Sequence, residues 1–235
     1  MARVKLVERA DITEDLMVIK LEHQLKTFSF RPGQYCTLGL RGIERAYSIV
    51  SAPFEDKLEI FVELVPDGVM TPLMWSMKLG DTLSIRPRAK GLFLLDRSVH
   101  HHFLVATVTG VAPYISMIRQ YIHEGITGHN FYVLLGASYS DELTYDHELL
   151  ALVQQHPESI KFVSTVSRPE ESRNAEWTGT VGRVNNILEA FLENVNPPTD
   201  DSKIYACGHP GMIEDVKDKV KRNGWKFIEE RFWKQ

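Results

Sequence analysis

The sequence predicts two folded parts of different class: an N-terminal antiparallel β-barrel over residues 1–97, then an α/β domain with a parallel sheet over residues 98–235. Three observations carry this. In the first part, six short apolar or alternating runs are separated by turn residues, the spacing of a closed antiparallel barrel. From about Asp96 onward strand-like runs alternate with helical ones, as in a parallel sheet with helices on both faces. The 235 residues, 43% hydrophobic and 25% charged, supply enough apolar material for two cores of a soluble globular protein.

The barrel strands are expected over Val4 to Ala10, Leu16 to Leu21, Gln34 to Leu40, Ala46 to Val50, Leu58 to Val65 and Thr82 to Arg86. Arg31-Pro32-Gly33, Ser51-Ala52-Pro53, Pro66-Asp67-Gly68 and Leu79-Gly80-Asp81 supply the turn chemistry between them. A short helix is expected over Thr71 to Met77. In the second part the expected strands are Phe103 to Thr107, Phe131 to Leu135, Lys161 to Val166, Ile204 to Cys207 and Trp225 to Phe232. The helices alternating with them cover Pro113 to His123, Glu148 to Gln155, Val184 to Leu192 and Met212 to Arg222. There is no internal repeat and no low-complexity tract.

Composition excludes several classes. The net charge is −4; residues 1–97 hold 14 Lys and Arg against 13 Asp and Glu, and residues 98–235 hold 13 against 18. This is the wrong sign for nucleic-acid binding, which needs a basic footprint. No apolar run approaches the roughly 18 residues that span a membrane, and Met1 to Lys5, which lack a long apolar core, are not expected to begin a signal peptide. Cys36 and Cys207 are read as reduced thiols of a cytoplasmic protein. Two cysteines are too few for an iron–sulfur cluster, so a cluster exchanging single electrons would lie in another molecule. The triplet His100-His101-His102 sits on an extended run, where neighbouring side chains diverge, and is not expected to bind a metal.

The densest chemistry lies in Arg45-Ala46-Tyr47-Ser48. A guanidinium can fork onto a phosphate, a tyrosine ring can lie against a flat ring system, and a serine hydroxyl gives or takes one hydrogen bond. A flavin dinucleotide would use all three; taken alone, the run also fits a surface arginine and a half-buried tyrosine on an ordinary strand. The run Thr107-Val108-Thr109-Gly110-Val111-Ala112-Pro113 links a strand to a helix with proline near its first position. Such a corner offers backbone N–H groups and a positive dipole end to a pyrophosphate, at the sheet edge where open α/β sheets bind ligands. Cys207-Gly208-His209-Pro210-Gly211-Met212 repeats the device. Arg168 and Arg183 follow later strands and would suit a nucleotide 2′-phosphate, although exposed arginines are common.

Taken in order, these motifs resemble the ferredoxin–NADP reductase family, nearly end to end: Arg45-Ala46-Tyr47-Ser48, Thr109-Gly110-Val111-Ala112-Pro113, Cys207 to Met212, and Glu230-Arg231-Phe232-Trp233. The resemblance implies a ferredoxin reductase-like fold holding FAD on the barrel and NADP on the α/β domain. It implies that Arg45 and Ala46 meet the FAD pyrophosphate, that Tyr47 packs beside the isoalloxazine, and that Ser48 meets flavin N5. Val69, Met70 and Thr71 would grip the FAD phosphates. Thr109, Gly110, Val111 and Pro113, with Gly208 and Met212, would cradle the nicotinamide nucleotide, and Arg168 and Arg183 its 2′-phosphate. Cys207 would lie near the nicotinamide, Glu230 would assist Ser48, and either Phe232 or Trp233 would cover the flavin.

Two residues depart from the family pattern. Val108 stands where the first glycine of Gly-Thr-Gly is usual, and a β-branched residue resists positive φ. Ser138 stands where many NADP users have an arginine. The activity implied is electron transfer between NADP(H) and an acidic one-electron carrier, ferredoxin or flavodoxin. Arg86, Arg88 and Lys90 could steer such a partner, whereas Lys217, Lys219, Lys221 and Arg222 equally well offset a helix dipole. Alternatives are an NAD(P)H-dependent reductase of free flavin or of an oxygenase component, and an FAD-binding electron-transfer or sensor subunit with weak use of nicotinamide nucleotides, which Val108 favours.

Overall fold

The computed structural model describes residues 2–23 and 28–231. They form two compact units: Met1–Leu95 with Ala112–Gly125, and Asp96–Val111 with Ile126–Gln235.

Unit 1 is built on six antiparallel strands, β1 (Ala2–Asp11), β2 (Leu16–His23), β3 (Tyr35–Leu40), β4 (Ile43–Ser48), β5 (Lys57–Glu63) and β6 (Thr82–Ile85), with helix α1 (Met70–Trp75). The strand order is β4-β3-β6-β1-β2-β5. Just past the end of β4, Val50 N–H donates to Glu59 O of β5 at 2.9 Å, which nearly closes the sheet into a barrel. Side chains at every second position point inward. Val4 and Leu6, Met17, Ile19 and Leu21, Cys36 and Leu38, and Leu58, Ile60 and Val62 meet in one core with Met70 and Met74 of α1. Hairpin β3–β4 turns on Arg41-Gly42, whose φ angles of 49° and 83° are those of a type I′ turn. That turn starts β4 at Ile43, three residues before the apolar signal, and sets the register that pairs Cys36 with Tyr47 and Tyr35 with Ser48.

Helix α2 (Ala112–His123) follows the first strand of the other unit in sequence but packs with unit 1. Ser116 Oγ donates to Ser51 O at 2.8 Å. Arg119 reaches the Glu59 carboxylate at 3.3 Å and that of Glu55 at 3.4 Å. Tyr114 lies against Phe93, and His123 stacks on Phe54.

Unit 2 is a parallel sheet of β7 (His101–Thr107), β8 (Asn130–Ala137), β9 (Ile160–Val166), β10 (Thr180–Val181), β11 (Ser202–Gly208) and β12 (Lys226–Arg231), in the order β10-β9-β8-β7-β11-β12. Phe103 to Ala106 and Phe131, Val133, Leu134 and Leu135 are fully buried, the continuous apolar run of a strand covered on both faces. Helices α3 (Asp146–Gln155), α4 (Val184–Val195) and α5 (Pro210–Arg222) complete the unit. One face of the sheet packs against Val184, Leu188 and Leu192 of α4 and Ile213, Val216 and Val220 of α5. Strand β10 escapes a sequence reading because two residues carry no period. The chain winds outward from β7 to β8 on one side and to β11 on the other, so the order reverses between β7 and β11. That reversal is where open α/β sheets leave a crevice at their C-terminal edge.

Candidate functional site

On unit 1 the hairpin brings Arg45, Ala46, Tyr47 and Ser48 onto one six-residue strand. Arg45 and Ala46 are exposed, and the guanidinium donates to Glu44 O at 2.8 Å. Tyr47 packs its inner side on the barrel core, and burial pushes its phenol well above the ordinary range. Ser48 is only 7% exposed, and its hydroxyl finds no hydrogen-bond partner among the described residues. Its oxygen is not one of the buried side-chain atoms left unpaired, so it stays accessible to an external partner. An exposed cation, a rigid half-buried ring and an accessible hydroxyl in four residues fit the pyrophosphate and polar ring edge of a flavin dinucleotide.

The second expected FAD segment opens α1. Val69 is exposed, but Met70 is buried in the barrel core. The Thr71 hydroxyl accepts from Val65 N–H at 2.9 Å and donates to Val65 O at 3.3 Å, bracing the Pro66-Asp67-Gly68 loop. Met70 and Thr71 thus shape the loop, and Val69 is the residue of the three left exposed to a ligand.

On unit 2 the turns after β7 and β11 touch. Val108–Val111 forms a 3-10 turn that runs directly into α2, whose first turn carries the buried Pro113. Gly110 lies so close to the end of β11 that a Cβ there would stand 2.2 Å from Cys207 O. Gly208 has φ of 124°, and a Cβ would stand 2.2 Å from Thr107 Oγ1. Thr107 Oγ1 accepts from His209 N–H at 2.7 Å, a tie between the two turns that the sequence did not single out. Both turns lie at the strand-order reversal, so Thr109 to Val111 and Gly208 form one concave backbone surface suited to a pyrophosphate. Val108 has φ of 42°, a left-handed conformation that glycine takes without strain.

Cys207 is fully buried, and burial, with the neighbouring Glu230 carboxylate as a second cause, holds its thiol well above the usual range. It packs in the sheet as a neutral thiol. Glu230 pairs with Cys207 across β11 and β12, and burial raises its carboxyl. Met212 is buried against the sheet, so its side chain serves α5 packing. Phe232 and Trp233 lie outside the described residues.

Arg168 and Arg183 follow the adjacent strands β9 and β10, paired through Val166 and Val181. Arg183 is exposed and its guanidinium has no partner among the described residues. Arg168 is engaged: its Nη1 donates to Tyr139 Oη at 3.0 Å and lies 3.4 Å from the Glu171 carboxylate. Arg173, which the sequence reading passed over, lies 4.2 Å from the centroid of the Tyr139 ring. The three histidines diverge, to Asp201, Tyr132 and His129 respectively. Arg86 is paired with Glu44, while Arg88 and Lys90 are exposed. On α5, Lys219 pairs with Asp215 at 2.9 Å and Lys217 with Glu229 at 3.2 Å.

Comparison with known proteins matches both parts of the chain. Residues 3–91 match the oxidoreductase FAD-binding domain family and residues 104–218 the oxidoreductase NAD-binding domain family. The chain is 30% identical to a flavodoxin/ferredoxin–NADP reductase of Buchnera aphidicola, over 87% of this chain and 84% of that one. It is 29% identical to a flavodoxin/ferredoxin–NADP reductase of Escherichia coli, over 80% of this chain and 77% of that one. Among solved structures it is similar to a ferredoxin NADP+ reductase from Neisseria gonorrhoeae with bound FAD and NADP, with a TM-score of 0.86 at 24% identity, covering 99% of this chain and 98% of that one.

Proposed function

The chain belongs to the flavodoxin/ferredoxin–NADP reductase family, and from that premise we propose that it moves electrons between NADP(H) and ferredoxin or flavodoxin. It is an FAD-dependent oxidoreductase, with a nicotinamide nucleotide as its second cofactor. When bound, FAD supplies the exchange between two-electron hydride chemistry and one-electron transfer. The observation that carries our reading is one strand that presents an exposed Arg45, a half-buried Tyr47 and the accessible hydroxyl of the otherwise buried Ser48.

In this reading residues 1–97 carry the FAD site and residues 98–235 most of the nucleotide site. Arg45 neutralises the FAD pyrophosphate. Tyr47 gives the flavin a rigid face whose position is fixed by the barrel core behind it. Ser48 Oγ would hold a hydrogen bond to the polar ring edge, and Glu230, whose carboxyl is raised by burial, would assist it. The backbone of Thr109 to Val111 and Gly208 binds the nucleotide pyrophosphate, and Arg168 and Arg183 bind its 2′-phosphate. Cys207 acts by packing. Phe232 or Trp233 covers the flavin. These residues orient two flat rings and exclude water, and orientation is the main catalytic contribution the protein makes. The exposed Arg88 and Lys90 favour approach of an acidic carrier. The place of action is the cytoplasm; no helix among the described residues is long and apolar enough to cross a membrane.

Stopped-flow reduction of the FAD-loaded protein by NADPH tests the Ser48 role. Ser48→Ala should slow flavin reduction about tenfold or more, the scale of one lost charge-assisted hydrogen bond, while FAD affinity changes less. An unchanged reduction rate would sink it. The positive φ of Val108 favours a second reading, an FAD-binding electron-transfer subunit that uses nicotinamide nucleotides poorly. Anaerobic addition of NADPH and NADH separates the two: rapid bleaching of the flavin supports the reductase, and a persistent oxidised spectrum supports the subunit.

A further inference from the structure

Beyond the end of β9 the chain turns sharply at Arg168-Pro169-Glu170-Glu171, closed by Glu171 N–H donating to Arg168 O at 3.2 Å. The turn brings the Glu171 carboxylate onto both Arg168 Nη1, at 3.4 Å, and the Tyr139 hydroxyl, which donates to it. Arg168 Nη1 also donates to that hydroxyl, so guanidinium, phenol and carboxylate form a closed triangle. Asn174, only 2% exposed, fixes the frame: its amide donates to Arg168 O and Ser138 O, its oxygen accepts from Ser140 N–H, and its own N–H donates to Glu171 O. Arg173, stacked on the Tyr139 ring, is itself held by Asp141 at 2.8 Å and lies 3.7 Å from Glu142.

Building on the reading that Arg168 receives a nucleotide 2′-phosphate, we infer that Glu171 is a specificity-determining residue whose carboxylate competes with that phosphate for Arg168 and Tyr139. A carboxylate and a phosphate are both acceptors with geometry matched to a guanidinium, and they cannot share one guanidinium face without like-charge repulsion. A nucleotide carrying the phosphate must therefore open the triangle or sit against the Glu171 charge; one lacking it leaves the triangle closed. The local charges point the same way, since Arg168 and Arg173 are each matched by a carboxylate already in contact, leaving Arg183 without a partner among the described residues. The consequence is a narrowed preference for the phosphorylated nucleotide. Specificity here is set by what opposes one ligand as much as by what attracts it.

The test is calorimetric titration of the FAD-loaded protein with adenosine 2′,5′-bisphosphate and with 5′-AMP, which differ only in the 2′-phosphate. Glu171→Gln should raise the ratio of the two affinities roughly three- to tenfold, the scale of a half-exposed ion pair plus a charge-assisted hydrogen bond. Glu171→Ala should move it in the same direction, and Arg168→Ala should lower it. With Arg168→Ala in the background, Glu171→Gln should lose its effect. A ratio unmoved by both Glu171 variants, while Arg168→Ala lowers it, overturns the inference and leaves the role of Arg168 standing. A ratio unmoved by Arg168→Ala overturns the placement of the 2′-phosphate itself.

Discussion

At the scale of single residues, three positions behave in ways that side-chain type alone does not disclose. Ser48 is an ordinary strand serine until the fold buries all but the accessible edge of it. Cys207 carries a family motif, yet its burial makes it a packing thiol. Val108 holds φ of 42° although β-branched side chains crowd the backbone there. Val108→Gly should relieve that strain by about 1–2 kcal/mol, offset by about 0.5–1 kcal/mol of added chain entropy in the unfolded state. The expected net gain is about 1 kcal/mol, read from the urea midpoint. The same variant should bind NADP+ more tightly, because the isopropyl group no longer stands beside the phosphate cradle; weaker binding would show that the side chain helps.

At the scale of elements, the site surfaces are set by pairs of turns. Gly110 and Gly208 are required because the turns after β7 and β11 press backbone on backbone. The loops after β8 and β9 are joined instead by one buried amide, Asn174. Asn174→Ala removes three side-chain hydrogen bonds at about 1 kcal/mol each, so a loss of about 3 kcal/mol is expected in equilibrium unfolding. Nucleotide affinity should fall with it, since Arg168 and Glu171 lose their frame. A loss under about 1 kcal/mol would mean that the loops hold their shape by other contacts. The strands and long helices were legible beforehand because period-two and period-3.6 patterns are local. Tyr139, Arg173 and Asn174 were not, because they meet only when loops more than 30 residues apart come together.

At the scale of the whole molecule, the described structure ties the start of unit 2 to β11, β7 and the residue before β8 through a run of hydrogen bonds the redox reading does not use. Asp96 N–H donates to Tyr205 Oη at 2.9 Å, Tyr205 Oη meets His102 Nδ1 at 3.4 Å, and His102 Nε2 meets His129 Nδ1 at 3.0 Å. Burial, and then the neighbouring His129, drives His102 down to about 3, from 6.5 in an unfolded chain. The unfolded chain therefore takes up a proton that the folded one refuses. This contribution is fully present above pH 6.5 and is lost as the pH falls towards 3. Between pH 6.5 and 5.5 it should cost roughly 1 kcal/mol. His102→Phe, which keeps the ring stack with Phe131, should flatten that slope in urea unfolding series; an unaltered slope would assign the acid sensitivity elsewhere.

The sequence by itself determined the two fold classes, the order of nearly all elements and the four motifs of the family, because each is written in neighbouring residues. Only the tertiary structure decided that α2 packs with unit 1, that Ser48 is buried up to an accessible hydroxyl, that Cys207 is sealed, and that Glu171 holds Arg168. Burial and pairing depend on what distant segments bring to a side chain, and no local pattern encodes that.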